Sequence, residues 1–192
     1  MEIDKLDRAE HIKKLKKKLN EKRFIHSIGV EYTAACLAMA HGADVNKARI
    51  AGLLHDNAKC FTLEEKLKKA RKHGIEINEC EEKNPDLLHG KLGAYYAKEK
   101  FGVDDQEILD AMTYHTTGRP DMTTLDKIIY IADFMEPNRK MLKDMIEIRQ
   151  EAFTDLDKCL VHILRNILEY LETKDFAIDD MTRKTYEFYS KQ

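Results

Sequence analysis

The chain has 192 residues, 33 basic against 35 acidic, with a formal net charge of −2. That length buries a core without a disulfide or metal staple, and the charge balance gives no electrostatic reason to expect nucleic acid or an anionic membrane as partner. The four cysteines, Cys36, Cys60, Cys80 and Cys159, form no C-x-x-C pair, which excludes a disulfide framework or zinc knuckle and fits a reducing cytosol.

The opening run Met1 to Arg8 is charged throughout, with no apolar h-region after it, so no signal peptide is expected. No apolar run approaches the roughly 20 residues that span a bilayer, and a cytoplasmic protein is expected. A lysine-rich helix is predicted from about Asp7 to Leu19, with Ile12, Leu15 and Leu19 on one stripe. Phe24, Ile28, Tyr32, Ala35 and Met39 recur at three- and four-residue steps and predict a helix over Glu21 to Ala40, closed by His41-Gly42. Asp44 can cap a helix from Val45 to about Lys59. Thr62 and Glu65 match a capping box for Leu63 to Lys72, and Gly74 closes that segment. Gly74 to Asp86 reads as a polar surface loop. Helices follow at Leu87–Phe101, Asp104–Tyr114 and Thr124–Met135, then a long segment near Leu142–Leu171, then Asp179–Tyr189. No period-two strand series is present. The expectation is all-α, one domain of about eight to nine helices.

Six histidine and aspartate residues stand out on this map. His26 lies within the second helix, His55-Asp56 near the end of the third. His89 follows the Pro85 loop, His115 ends a helix before Thr116-Thr117-Gly118, and Asp133 sits inside Ile128-Ile129-Tyr130-Ile131-Ala132-Asp133-Phe134-Met135. A carboxylate in such an apolar run needs a cation beside it, because a buried unpaired charge costs several kcal/mol or is neutralised. A metal ion, or a basic neighbour at the polar edge of the helix, satisfies that need equally. His11, His41, His73 and His162 read as ordinary core or surface residues.

The order His26, His55-Asp56, His89, His115, Asp133 resembles the HD-domain superfamily of metal-dependent phosphohydrolases. The segments Arg23-Phe24-Ile25-His26-Ser27-Ile28-Gly29-Val30, His55-Asp56-Asn57-Ala58-Lys59, His115-Thr116-Thr117-Gly118 and Leu125 to Arg139 resemble its symmetrical bis(5′-nucleosyl)-tetraphosphatases of the YqeK type, which hydrolyse diadenosine tetraphosphate to two ADP. The resemblance spans about Arg23 to Arg139. It implies an HD-type core over about residues 21–140 with the helices of 141–192 packed on it. It also implies two divalent transition-metal ions, iron first, with manganese, nickel or cobalt as alternatives. Asp56 would bridge them; His26, His55 and Asp133 would complete one coordination sphere, His89 and His115 the other.

From this follows an expected mechanism, in which a water shared by the two metals is deprotonated near neutral pH and attacks phosphorus. Lys59, one turn past His55-Asp56, is the first candidate for a contact to the phosphate oxygens. Arg23, Lys127, Arg139, Thr116, Thr117 and Gly118 are further candidates, and Asp126 a support for the ligands. Expected ligands are a dinucleoside polyphosphate or an ADP- or GDP-like nucleotide. Two other readings stay open: an HD-type hydrolase of nucleoside mono- or triphosphates, and a non-catalytic nucleotide-binding module. The apolar stripe Leu160, Ile163, Leu164, Ile167, Leu168 and Leu171 can pack on its own domain or in a homodimer.

Overall fold

The computed structural model describes residues 7–174 and 177–191; the charged opening read at residues 1–6 lies outside them. Eleven α-helices and a 3-10 turn are found among the described residues: α1 Arg8–Lys18, α2 Glu21–Ala40, α3 Val45–Leu54, α4 Leu63–Lys72, α5 Glu79–Lys83, the 3-10 turn Pro85–Leu88, α6 His89–Phe101, α7 Gln106–Tyr114, α8 Thr124–Met135, α9 Met145–Ala152, α10 Leu156–Thr173 and α11 Asp180–Tyr189. Asp7, Asn20, Asp44, Thr62, Thr123 and Asp179 each cap a helix through a side-chain oxygen, satisfying amides that the first turn leaves without partners. The Thr62–Glu65 capping box forms as the spacing predicts.

The count exceeds eight to nine for two local reasons. The stretch read as a loop contains α5, started by a second capping box between Asn78 and Glu81. The long segment near Leu142–Leu171 is two helices, because Asp155 leaves helical geometry (φ −151°) and caps α10 through the Lys158 amide.

A third difference shapes the site. α3 ends at Leu54 rather than running on to about Lys59, and the next residues form tight turns, with Asn57 N–H donating to Leu54 O and Lys59 N–H to Asp56 O. The Asn57 amide pins this turn by donating to Leu54 O and Gly93 O, both at 2.8 Å. Consecutive residues on an α-helix point about a third of a turn apart; leaving the helix lets His55 and Asp56 face one point.

The core lies where α2, α3, α7 and α8 meet, filled by Val30, Leu54, Met112, Ile128, Ile129 and Ile131, all fully buried. Each such side chain contributes roughly 1.5–3 kcal/mol by leaving water. Gly90 sits where α6 crosses α7: a Cβ there would lie 2.6 Å from Thr113 O, so the close crossing that brings His89 to His115 requires glycine. The stripe of α10 is buried on its own chain through Leu160, Ile163, Leu164 and Leu168, against α8, α9 and α11. No helix among the described residues is long and apolar enough to cross a membrane.

Candidate metal centre

Six side chains from five segments converge below the surface. α2 supplies His26, the turn after α3 supplies His55 and Asp56, the start of α6 supplies His89, the end of α7 supplies His115, and α8 supplies Asp133. The four imidazoles and Asp56 are at most 7% exposed. Asp56 stands in the middle. Its Oδ2 lies 3.3 Å from His55 Nε2 and 3.6 Å from His26 Nε2, and its Oδ1 lies 3.4 Å from His89 Nε2 and 3.9 Å from His115 Nε2. Asp133 Oδ1 closes the first side, 2.9 Å from His26 Nε2 and 3.5 Å from His55 Nε2. His89 and His115 bring their Nε2 atoms to 3.0 Å.

The outer ring nitrogens explain why the inner ones are free to bind. His55 Nδ1 donates to Gly52 O at 2.7 Å, His115 Nδ1 to Met112 O at 2.6 Å, and His89 Nδ1 to Asp86 O. A carbonyl oxygen only accepts, so each Nδ1 carries the proton and each Nε2 offers its lone pair inward. His26 Nδ1 points instead at the Glu136 carboxylate, 3.1 Å away. Three overlapping triads result, each with its donor atoms mutually within 4.8 Å: His26–His55–Asp56, His55–His115–Asp133 and Asp56–His89–His115. Neutral imidazoles with hard carboxylate oxygens suit divalent transition metals, and this donor set fits them.

The HD domain family matches residues 23–138, the interval that carries all six side chains. Over 183 residues the chain is 40% identical to a symmetrical bis(5′-nucleosyl)-tetraphosphatase of Bacillus subtilis, covering 95% of this chain and 97% of that one. The enzyme of the same name from Halalkalibacterium halodurans is 36% identical, covering 94% and 96%. The chain belongs to the symmetrical bis(5′-nucleosyl)-tetraphosphatases of the HD domain family. A crystal structure from Clostridium acetobutylicum, described as a predicted HD superfamily hydrolase involved in NAD metabolism, superposes with a TM-score of 0.92 at 38% identity, covering 96% of this chain and 97% of that one.

Charge differs across the centre of this tetraphosphatase. Burial disfavours an ionised carboxylate, but the imidazoles of His55 and His89 overcome it at Asp56, and those of His26 and His55 at Asp133; both stay well below the usual range. Burial also opposes a charge on His55, yet Asp56 and Asp133 raise it to about 10. At the other end burial, with the charges of His115 and Lys59, outweighs Asp56 and takes His89 down to about 3; burial and His55 take His115 to about 4.

The expected phosphate contacts divide. Arg23 Nη1 lies 2.6 Å from Asp56 Oδ2, and Arg139 Nη2 lies 2.5 Å from Asp133 Oδ1, so both guanidiniums border the centre. Lys59 pairs with Asp86, whose carbonyl accepts from His89. Thr116 and Thr117 line a cavity beside His115. Lys127 is placed apart from the other candidates: its Nζ meets Asp157 at 2.5 Å and lies over the Tyr189 ring, toward the C-terminal helices. Asp126 is likewise apart, being the capping-box residue of α8 and the partner of Arg119 at 2.8 Å. Seven residues along a helix share a face but are two turns apart, which is what separates Asp126 from Asp133. Gly118 has φ +66° and its open side faces Thr185 on α11.

Glu136 is a carboxylate at the site that the pattern did not single out. It is 1% exposed, and its second oxygen accepts from Asn138 N at 2.8 Å and Nδ2 at 2.9 Å. A Cβ at Gly29, one turn after His26, would overlap that carboxylate. Its partner His26 is 110 residues away, so only the one-turn spacing from Asp133 hinted at it. The four other histidines lie outside the cluster. His11 bonds Phe101 O, His41 bonds Ala152 O, His73 stacks on Tyr95, and His162 sits between Glu151 and Asp144.

Proposed function

We propose that this chain hydrolyses diadenosine tetraphosphate symmetrically to two ADP, with His26, His55, Asp56 and Asp133 holding one divalent metal ion and Asp56, His89 and His115 a second. One observation carries the reading: a buried carboxylate, Asp56, turns one oxygen to each of two imidazole pairs whose protonated nitrogens all point outward. Full-length kinship to tetraphosphatases supports the substrate. Two such ions, iron first by the family resemblance, would supply a water acidic enough to ionise near neutral pH and positive charge for the phosphate oxygens.

The chain's own residues do the rest. Water oxygen bonds to one of the two central phosphorus atoms, the central P–O–P bridge breaks on that side, and the departing ADP keeps the bridging oxygen. Arg23 and Arg139 reach the ligand carboxylates and are placed to turn toward phosphate oxygens as charge builds in transfer. Lys59 adds positive charge near His89. Thr116 and Thr117 offer hydroxyl and backbone donors beside His115. A cytoplasmic enzyme fits the unpaired cysteines. The exposed apolar side chains Met141, Leu142 and Ile146 leave a homodimer open as its assembly.

The test is product analysis with iron-loaded, anaerobically handled protein. ADP as sole nucleotide product supports the proposal. AMP with ATP would overturn symmetrical cleavage, and no turnover with metal verified as bound would overturn the substrate.

A further inference from the structure

A substrate cut at its centre has two equal halves, and each must be held on its own side of the reacting bond. One cavity opens onto the cluster at His26, and a second lies against the segments that flank His115 and lead to His89. One, about 460 Å³, is walled by Arg23, His26, Glu136, Asn138 and Arg139. The other, about 630 Å³, is walled by Thr116 and Thr117, which follow His115, by Leu87, which precedes His89, and by Ile178 and Met181. Both fall in the roughly 300–1,000 Å³ range of small-molecule sites.

We infer that the larger cavity is the subsite for one nucleoside of the dinucleotide, and that α11, outside the HD match at 23–138, is its specificity wall. This rests on the proposed substrate. Charge decides what the cavity takes. Four of its lining side chains are carboxylates and three are lysines. Lys91 is already paired with Glu81 at 2.8 Å. Such a lining disfavours a chain of anionic phosphates. Glu79 and Asp180 accept from ribose hydroxyls and an exocyclic amine. Leu87, Ile178 and Met181 supply apolar surface for a base, the methionine adaptably. The phosphates then lie toward Arg23 and Arg139 at the other end.

The wall is fixed to the site. Thr185 Oγ1 shares its proton between Met181 O within α11 at 2.7 Å and Thr117 O at 3.2 Å, and Met122 N donates to Tyr189 Oη at 2.6 Å. Gly118 is needed under Thr185, since a Cβ there would come within 2.6 Å of Thr185 Cγ2. α11 is thus locked onto the loop that follows His115, and a nucleoside against α11 is registered against the centre.

Two measurements test this. With ¹³C-methyl methionine, the Met181 signal should move on adding adenosine or ADP and stay still with inorganic pyrophosphate, while Met39, exposed on α2, serves as the unmoved control. Ile178→Trp, which fills the cavity, should lower kcat/KM for diadenosine tetraphosphate roughly tenfold to a hundredfold, with metal content and Tm kept. An unmoved Met181 signal overturns the inference, as does an unchanged kcat/KM in a folded Ile178→Trp variant. If that variant does not fold, the Met181 signal decides alone. A moving Met181 signal in a protein that does not turn over the tetraphosphate would keep the nucleoside subsite and sink the substrate instead.

Discussion

At the His26 end of the cluster, three carboxylates, Asp56, Asp133 and Glu136, surround two imidazoles; at the His89 end, Asp56 stands between the two imidazoles and Asp133 comes within reach of His115 only. The carboxylates of the first end pull the His55 pKa up to about 10, the mark of a pocket that attracts positive charge, and draw in Arg23 and Arg139. The second end leaves His89 and His115 uncharged well into acid. Equal imidazole counts therefore give unequal sites: burial and neighbouring positive charge keep His89 and His115 uncharged, whereas Asp56 and Asp133 together outweigh burial at His55. The anionic end should therefore bind a cation more strongly, and a titration at limiting metal should fill it first.

Asp56→Ala removes the carboxylate common to both ends and breaks the comparison altogether. Its loss of activity should exceed the roughly 10–100-fold typical of an outer partner, with metal content from elemental analysis falling at both ends. Asp133→Asn and His115→Ala separate the ends: each should drop about one metal per chain, but the Asp133 variant should lose the tighter one in a titration. Equal residual affinities in the two variants would contradict the asymmetry. Glu136→Gln keeps the shape around His26 while removing the charge behind it. It should weaken metal binding or activity roughly 10–100-fold, with Tm nearly unchanged.

Outside the centre, His11 isolates burial without a neighbouring ligand carboxylate. Burial lowers its pKa below the ordinary 6.5, despite its bond to Phe101 O. The folded state therefore binds this proton less readily than the unfolded chain. Its contribution to stability is complete above about pH 6.5 and is lost as pH falls below that. Urea titrations from pH 7.5 to 5 should show this loss, and His11→Gln, which can still donate to Phe101 O, should lessen it. The smallest effect belongs to Lys127→Ala. Its partner Asp157 is half-exposed, so stability should shift by no more than about 1 kcal/mol, and kcat/KM should not change.

Much of the architecture was legible one element at a time. The bounds Glu21–Ala40, Leu63–Lys72 and Thr124–Met135 follow from apolar periodicity and caps, which are local properties. The loop over Gly74 to Asp86 and the long segment to Leu171 misled, since α5 is five residues long and the Asp155 break carries no Gly or Pro. At the site, the six side chains are visible in sequence as residue types in a given order. Glu136 behind His26, Lys127 drawn away to Asp157, and Lys59 on Asp86 are not.

The sequence by itself determined most of the helices and the identity of the converging imidazoles and carboxylates, because turn-by-turn hydrogen bonding and side-chain chemistry act within a few residues. Tertiary packing alone decided that α3 unwinds at Leu54 so that His55 and Asp56 face one point. It alone turned each Asp56 oxygen to a different pair of histidines. Those outcomes depend on contacts such as Asn57 to Gly93 and Gly90 to Thr113, made between segments far apart in the chain and settled only when the core closes.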